Sequence, residues 1–365
     1  MYFTKVYFIF LQIVSISFMR FVLLLLGLSL CSSFSAVAQR APMVPAEVMG
    51  AETCRECHEE QVAQWEKSSH FGSFAELTKM DSAREMAEIL GYQPVDIPTK
   101  ASCVRCHFTE EVLSGVPQTT SAISCESCHT AAAPWIEVHN SRGSTRQSRV
   151  DESLSLGMAH PASIFSVSKS CFECHIVDDE QLVNQAGHPA LSRNFEILSW
   201  YSGEVNHNFL VNKGSGLRKH ANELQPIPQS RRRMLYLNGK LLHLGYLLQA
   251  MAGARDAPVD KKGNFIHLKD GNFTYSVQLA QEAKRIEHDL ERITKRVSVS
   301  QFIEALALLK SLRWETGNGP DFLEASESIF DLAEAFCRKN DGSNLGAIDS
   351  LLDELKPRYS ESTSE

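Results

Sequence analysis

Four copies of one pentad, Cys-x-x-Cys-His, constrain this chain more than any other feature in it. They are Cys54-Arg55-Glu56-Cys57-His58, Cys103-Val104-Arg105-Cys106-His107, Cys125-Glu126-Ser127-Cys128-His129 and Cys171-Phe172-Glu173-Cys174-His175. With 10 cysteines and 13 histidines in 365 residues, chance would supply roughly 0.01 such pentads, so four cannot be accidental. The spacing has a mechanical reason. Two thiols three residues apart sit on one side of a helical turn, where both can form thioethers to the vinyl groups of a haem, and the next residue then faces the iron. Cys54, Cys57, Cys103, Cys106, Cys125, Cys128, Cys171 and Cys174 are therefore expected to attach four covalently bound haem c groups, with His58, His107, His129 and His175 as proximal ligands. Zinc ribbons and disulfide frameworks also use paired cysteines, but neither asks for a histidine after every second one.

What precedes the pentads reads as an export leader. Met19-Arg20 gives a charged start, Phe21 to Leu30 an apolar stretch and Ala36-Val37-Ala38 a cleavage site, so residues 1–38 are expected to leave as a signal peptide. Residues 1–18 run ahead of a signal that is already complete, which makes Met19 the expected initiator. Cys31 follows Leu28-Ser29-Leu30, and lipoprotein processing wants a small residue just before the cysteine, so no lipid anchor is expected. Beyond residue 39 no apolar run is long enough to span a bilayer. The expected compartment is the periplasm. Lys5 and Arg20 leave with the leader, so the 36 basic residues fall to 34 against 44 acidic ones, a mature net charge of -10. That balance argues against nucleic acid and for redox protein partners that present a basic docking patch.

The expected class is mainly α: a multihaem cytochrome c domain with little regular sheet, followed by a C-terminal helical bundle. Residues 39–52 read as a linker and 53–229 as the haem domain, whose short helical stretches, Glu59 to Lys67 and Ser82 to Leu90, alternate with Gly, Pro and Ser. Covalent haems would supply much of the core that its side chains lack. Residues 230–357 carry helical periodicity and no pentad. Met234 to Ala254 is Leu-rich, and Leu279, Ala283, Ile286, Leu290 and Ile293 form one apolar stripe within Tyr275 to Lys295. Ser298 with Gln301 makes a capping-box signature before Phe302, Leu306 and Leu309, and Pro320-Asp321 opens a helix with Phe322, Ala325, Ile329, Leu332 and Phe336 on one face. A short helix with Ile348, Leu352 and Leu355 follows, and residues 358–365 are expected to be a disordered tail.

The sixth iron positions need ligands from outside the pentads. His70 lies twelve residues beyond His58 and His139 ten beyond His129, too far along short helices to fold back onto their own haems. The segments CRECHEEQVAQWEKSSH and ISCESCH with its trailing histidine resemble the tetrahaem cytochrome c-554 family, the electron acceptor of hydroxylamine oxidoreductase, over roughly residues 50–210. The resemblance implies His58 with His139 on the first haem and His129 with His70 on the third. It also implies a five-coordinate second haem on His107 and a downstream histidine on the fourth, which resembles His207, with His188 as competitor. The family's Gly-Pro-Gly after the third motif is replaced here by Thr130-Ala131-Ala132-Ala133-Pro134, and the helical C-terminal third has no counterpart in it.

The bland readings cover the rest. His160, His220, His243, His267 and His288 read as surface or capping residues, Cys337 as a small buried hydrophobe, and Arg231-Arg232-Arg233 as a solvated helix start. Trp65 and Trp135 are expected to pack on porphyrin edges. The functional expectation is a periplasmic tetrahaem electron carrier passing electrons between redox partners. One alternative is an enzyme that uses an open second haem on a small nitrogen compound or peroxide; another is a docking scaffold built on the bundle. The absence of Cys-x-x-Cys-Lys, and a haem count of half the eight of hydroxylamine oxidoreductases, weigh toward the carrier.

Overall fold

The computed structural model describes residues 43–192, 194–205, 226–256, 268, 273–315 and 317–359. From Arg40 onward the chain clusters as one compact unit. The pentad region begins with α1 (Ala51–Arg55), α2 (Glu59–Trp65), α3 (Ser69–Glu76), α4 (Asp81–Ile89) and α5 (Ala101–His107). An antiparallel hairpin of β1 (Thr109–Leu113) and β2 (Val116–Ser121) follows, closed by Ser114-Gly115, both at positive φ as a two-residue hairpin turn requires. Then come α6 (Cys125–His129), α7 (Ile136–His139), α8 (Arg146–Ser155), α9 (Ile164–His175), α10 (Glu180–Ala186) and α11 (Ile197–Ser202). The long helices are α12 (Gln229–Gly253), α13 (Tyr275–Thr294), α14 (Ser300–Ser311) and α15 (Gly319–Lys339), before the single turn of α16 (Asp349–Leu352). The fold is mainly α, and β1–β2 is the one sheet among the described residues.

Helix starts follow from local chemistry. The Ser163 hydroxyl accepts from Ser166 N at 3.2 Å to open α9, and Asp179 Oδ1 accepts from Leu182 N at 2.9 Å to open α10. At α14 the expected capping box on Ser298 does not form: the N-cap is Val299, with no side-chain cap. Burial overrides the cap signature there, because Val297 and Phe302 on either side are both drawn into the core. Arg358 N donates to Ser199 O at 2.9 Å and its carbonyl accepts from Glu204 N at 2.8 Å, so the chain is pinned to α11 that far along.

One apolar core runs through the bundle and reaches into the pentad region. Between Met234 and Met251 helix α12 is buried on almost every side, which is why its sequence is Leu-rich rather than striped. Around it lie Leu279, Ala283, Ile286, Leu290 and Ile293 of α13, Phe302 and Leu309 of α14, and Phe322, Ile329, Ala333 and Phe336 of α15. The same cluster contains Phe172 and Ile176 at the fourth pentad and Ile197 and Leu198 of α11. Gly239 makes that approach possible, since a Cβ there would stand 2.3 Å from Ile197 Cγ2. Each large side chain buried in this way contributes about 1.5–3 kcal/mol. By contrast, the second cluster is three residues, Ala87, Ile97 and Phe108, beside the second pentad. Among the described residues no helix is long and apolar enough to cross a membrane.

Candidate metal centres

The pentad helices touch in the order first, third, fourth, second. Glu126 of the third pentad is 1% exposed and its carboxylate accepts from Met49 N at 3.0 Å, Gly50 N at 2.9 Å and Ala132 N at 2.7 Å, which staples the start of α1 to α6. Behind that staple the thiols of Cys54 and Cys125 share a hydrogen bond. Ser170 Oγ in α9 donates to Cys128 O at 2.7 Å and so joins the fourth pentad to the third. Arg105 in α5 pairs with Asp178 just after α9, and Cys174 Sγ reaches Arg105 O at 3.9 Å, joining the fourth to the second. The hairpin assists from the side: Thr109 Oγ1, two residues past His107, donates to Ala122 O at 2.7 Å and lies 3.0 Å from Ser127 Oγ.

Three histidine pairs face one another across this assembly. Ring centroids are 6.4 Å apart for His58 and His139, 6.3 Å for His107 and His188, and 6.2 Å for His70 and His175. Two imidazoles bonded to one metal through nitrogens at about 2 Å, with each ring centre about 1 Å further out, stand roughly 6 Å apart. Each pair thus leaves a gap of the width that one iron bonded to both rings would need. Among the described residues no group of three or more Cys, His, Asp or Glu converges on one point, as a zinc site would need.

Two expectations are corrected by these pairs. His70 faces His175 of the fourth pentad, not His129 of the third, because α3 is held toward the fourth pentad by Glu204, which accepts from Ser69 N. The position opposite His107 is not open: His188 stands there, delivered by the left-handed turn at Gly187 that ends α10. His188 is therefore not at the fourth pentad, and His207, expected there, lies outside the described residues. His139 faces His58 as the resemblance implied.

Hydrogen bonds at Nδ1 decide which nitrogen is left for a metal. His129 Nδ1 donates to Ala159 O at 2.9 Å, His188 Nδ1 to Pro189 O at 2.8 Å, and His139 Nδ1 to Ile136 O. His175 Nδ1 lies 2.7 Å from Ser192 Oγ. A carbonyl can only accept, so in the first three rings the proton sits on Nδ1 and Nε2 keeps its lone pair. Burial holds the rings neutral as well. It pushes His107 down to about 4 and His175 down to about 3, each with nearby histidines adding to the effect, and it lowers His58, His70 and His129 in the same direction.

Aromatic side chains fix the rings further. Phe195 stacks on His175 at 4.1 Å and 11°, and Phe172 meets Phe195 edge-on at 5.3 Å. Trp135 is 5% exposed, meets His139 edge-on at 5.5 Å and donates from Nε1 to Thr130 Oγ1 at 3.2 Å. Thr130 takes φ +71°, the conformation a glycine would favour, where the resembling family has Gly-Pro-Gly. Its hydroxyl donates to Gly157 O at 2.8 Å, which ties the departure into the loop that also orients His129. Phe195 was not legible as a site residue, since nothing marks an aromatic after a serine-rich turn as a ring clamp.

Comparison with known proteins bears on the same stretch. Neither the curated proteins nor the solved structures give a match. Residues 53–130, which carry the first three pentads, match the family model of cytochrome c554 and c-prime. Over that segment the chain is similar to cytochromes c554 and c-prime, a likeness that supports covalently bound haem c and a general role in electron transfer.

Proposed function

We propose that the protein is an exported, periplasmic tetrahaem carrier that conducts electrons along the pentad series first, third, fourth, second. The observation that carries this reading is the set of three facing histidine pairs at 6.2–6.4 Å. His58 with His139, His107 with His188 and His175 with His70 would hold three irons, His129 would be proximal to a fourth, and the eight pentad cysteines would anchor the porphyrins. When bound, the haems supply reversible one-electron chemistry at potentials set by axial ligands, burial and hydrogen bonding. The chain's own part is to keep imidazoles neutral, orient them through Nδ1 and hold neighbouring pentads in contact.

A carrier is favoured over an enzyme because the enzyme reading relied on a vacant position opposite His107, which His188 takes away. Around the first pentad Glu52, Glu56 and Glu59 are exposed, and Arg55 is consumed by Glu52 at 2.8 Å and Glu66 at 2.6 Å. That acidic end fits a basic patch on a redox partner. The bundle is read as the support of the fourth pentad, whose Phe172 it buries.

Intact mass and electron paramagnetic resonance of the oxidised full-length protein test the reading. Four haems are expected, with no high-spin iron at the second pentad, and His188→Ala should create one that takes up cyanide. A wild-type second haem that is high-spin and turns over nitrite, hydroxylamine or peroxide would overturn the assignment.

A further inference from the structure

Three consecutive arginines at the start of α12 have three different environments. Arg233 is fully engaged: Nε and Nη2 donate to Asp349 at 2.7 and 2.6 Å, and Nη1 to Gly342 O at 2.9 Å. Arg231 has Nε and Nη2 buried with no hydrogen-bond partner, and Arg232 has Nε in the same condition. On α11, which packs against α12, Trp200 Nε1 is likewise buried and without an acceptor. These donors are not scattered. The Arg231 guanidinium lies 5.9 Å from the ring centre of Tyr201, the neighbour of Trp200, and the Trp200 ring lies 6.4 Å from that of His175.

Sheltering guanidinium and indole N–H groups from water without an acceptor is among the costlier arrangements in a folded chain. The described residues offer Arg233 a carboxylate and two carbonyls, yet offer these four nitrogens no hydrogen-bond acceptor. The missing acceptor is therefore a group from outside the polypeptide, anionic and able to take several N–H donors at once, which is the chemistry of a carboxylate. A haem brings two such groups as its propionates. The ligand pair beside Trp200 is His175 with His70, so the relevant haem is the one at the fourth pentad. We infer that Trp200 Nε1 and the Arg231 guanidinium form a carboxylate-binding site that receives a propionate of the haem carried by Cys171 and Cys174. The inference rests on a haem being attached there, which haem stain and intact mass check separately.

Such a site stabilises that propionate as an anion and places positive charge near the iron, which favours the reduced state. The test is redox titration of the haem-loaded full-length protein by optical and electron paramagnetic resonance spectroscopy, with resonance Raman of the propionate bending modes. Arg231→Gln should lower the reduction equilibrium constant of one haem about tenfold, a shift of 59 mV for one electron. Trp200→Phe, which keeps the ring against His175 and removes only the N–H, should shift the same haem by less and alter the same Raman mode. Arg231→Lys should recover part of the loss. The affected haem is identified as the fourth if its low-spin signal is the one that His70→Ala removes. With four haems present, unchanged potentials and Raman modes in both Arg231→Gln and Trp200→Phe would overturn the site. A shift confined to another haem would do the same, as would a response that appears only when acetate is added, which would mean a free carboxylate occupies it. A mass that lacks the fourth haem would instead overturn the tetrahaem reading.

Discussion

Replacing Glu126 by alanine tests whether the contact between the first and third pentads is set by one carboxylate. The side chain is 1% exposed and accepts from three backbone amides, two of them in the approach to α1 and one beyond α6. Hydrogen bonds to a charged group contribute about 1.5–3 kcal/mol each. Three of them at the low end give about 4.5 kcal/mol, and removing a carboxylate that burial already disfavours returns part of it. The expected net loss is about 2–4 kcal/mol, or about 4–16 °C in melting temperature at 2–4 °C per kcal/mol. Burial is the largest influence on Glu126 and raises its affinity for protons above that of an unfolded glutamate. The native state therefore binds the proton more tightly, and wild-type stability should fall as pH rises through the window just above the ordinary carboxylate value. The variant should lose that slope. Thermal melts across pH and hydrogen exchange at Met49, Gly50 and Ala132 measure both effects. A melting change under about 1 °C with unaltered protection at those amides would refute the clamp.

The remaining expectations concern other joints of the molecule. Leu242→Ala, at a fully buried position of α12, should cost about 2–5 kcal/mol and should disturb the spectrum of the fourth haem before the first; equal disturbance of all haems would break the link between bundle and fourth pentad. Arg233 is the main cause that holds Asp349 down at about 2, so the stability it lends is present above the usual aspartate range and lost as pH falls from about 4 toward about 2. Arg233→Ala should flatten the acid limb of a pH-melting curve over that window.

The pentads, the helical class and the apolar faces of α13 and α15 were legible because each is a local pattern: a spacing or a period. Distal ligands are not local. His70 sits within one helix of His58, and only the tertiary placement of α3, with Ser69 N held by Glu204, decides that it faces His175 instead. His188 was visible as a histidine in a Gly-His-Pro turn, but its partner His107 is 81 residues earlier in the chain, and no periodicity connects them. The resemblance implied the His58–His139 pair, whereas His70 and His188 face other pentads than it implied. The role of Glu126 was hidden for a related reason. It occupies a variable position of a pentad, and only the path of residues 47–50, together with the turn at Ala132, gives its carboxylate three amides to hold.

Burial along the series explains why a helical bundle is joined to this cytochrome. Cys57 at the first pentad is exposed, whereas Phe172 in the fourth is 1% exposed and belongs to the same apolar core as α12. An iron held in a dry environment changes potential with every unpaired charge nearby, while an exposed one is levelled by solvent. The fourth pentad therefore needs its surroundings fixed, and the buried polar groups near it are arranged in balanced sets. Lys240 pairs with Asp289 at 2.7 Å, and Glu282 pairs with Arg285 and lies 3.7 Å from a His243 that burial keeps neutral. Glu196 also acts on Lys240, so this buried cation is already matched by carboxylates. The propionates of a haem at the fourth pentad would add a pair of anions, and Arg231, without a partner for Nε and Nη2 among the described residues, is a cation able to meet them. On this argument the bundle serves as the dielectric and counter-charge of the central haem, and partner exchange belongs to the exposed, acidic end at Glu52, Glu56 and Glu59.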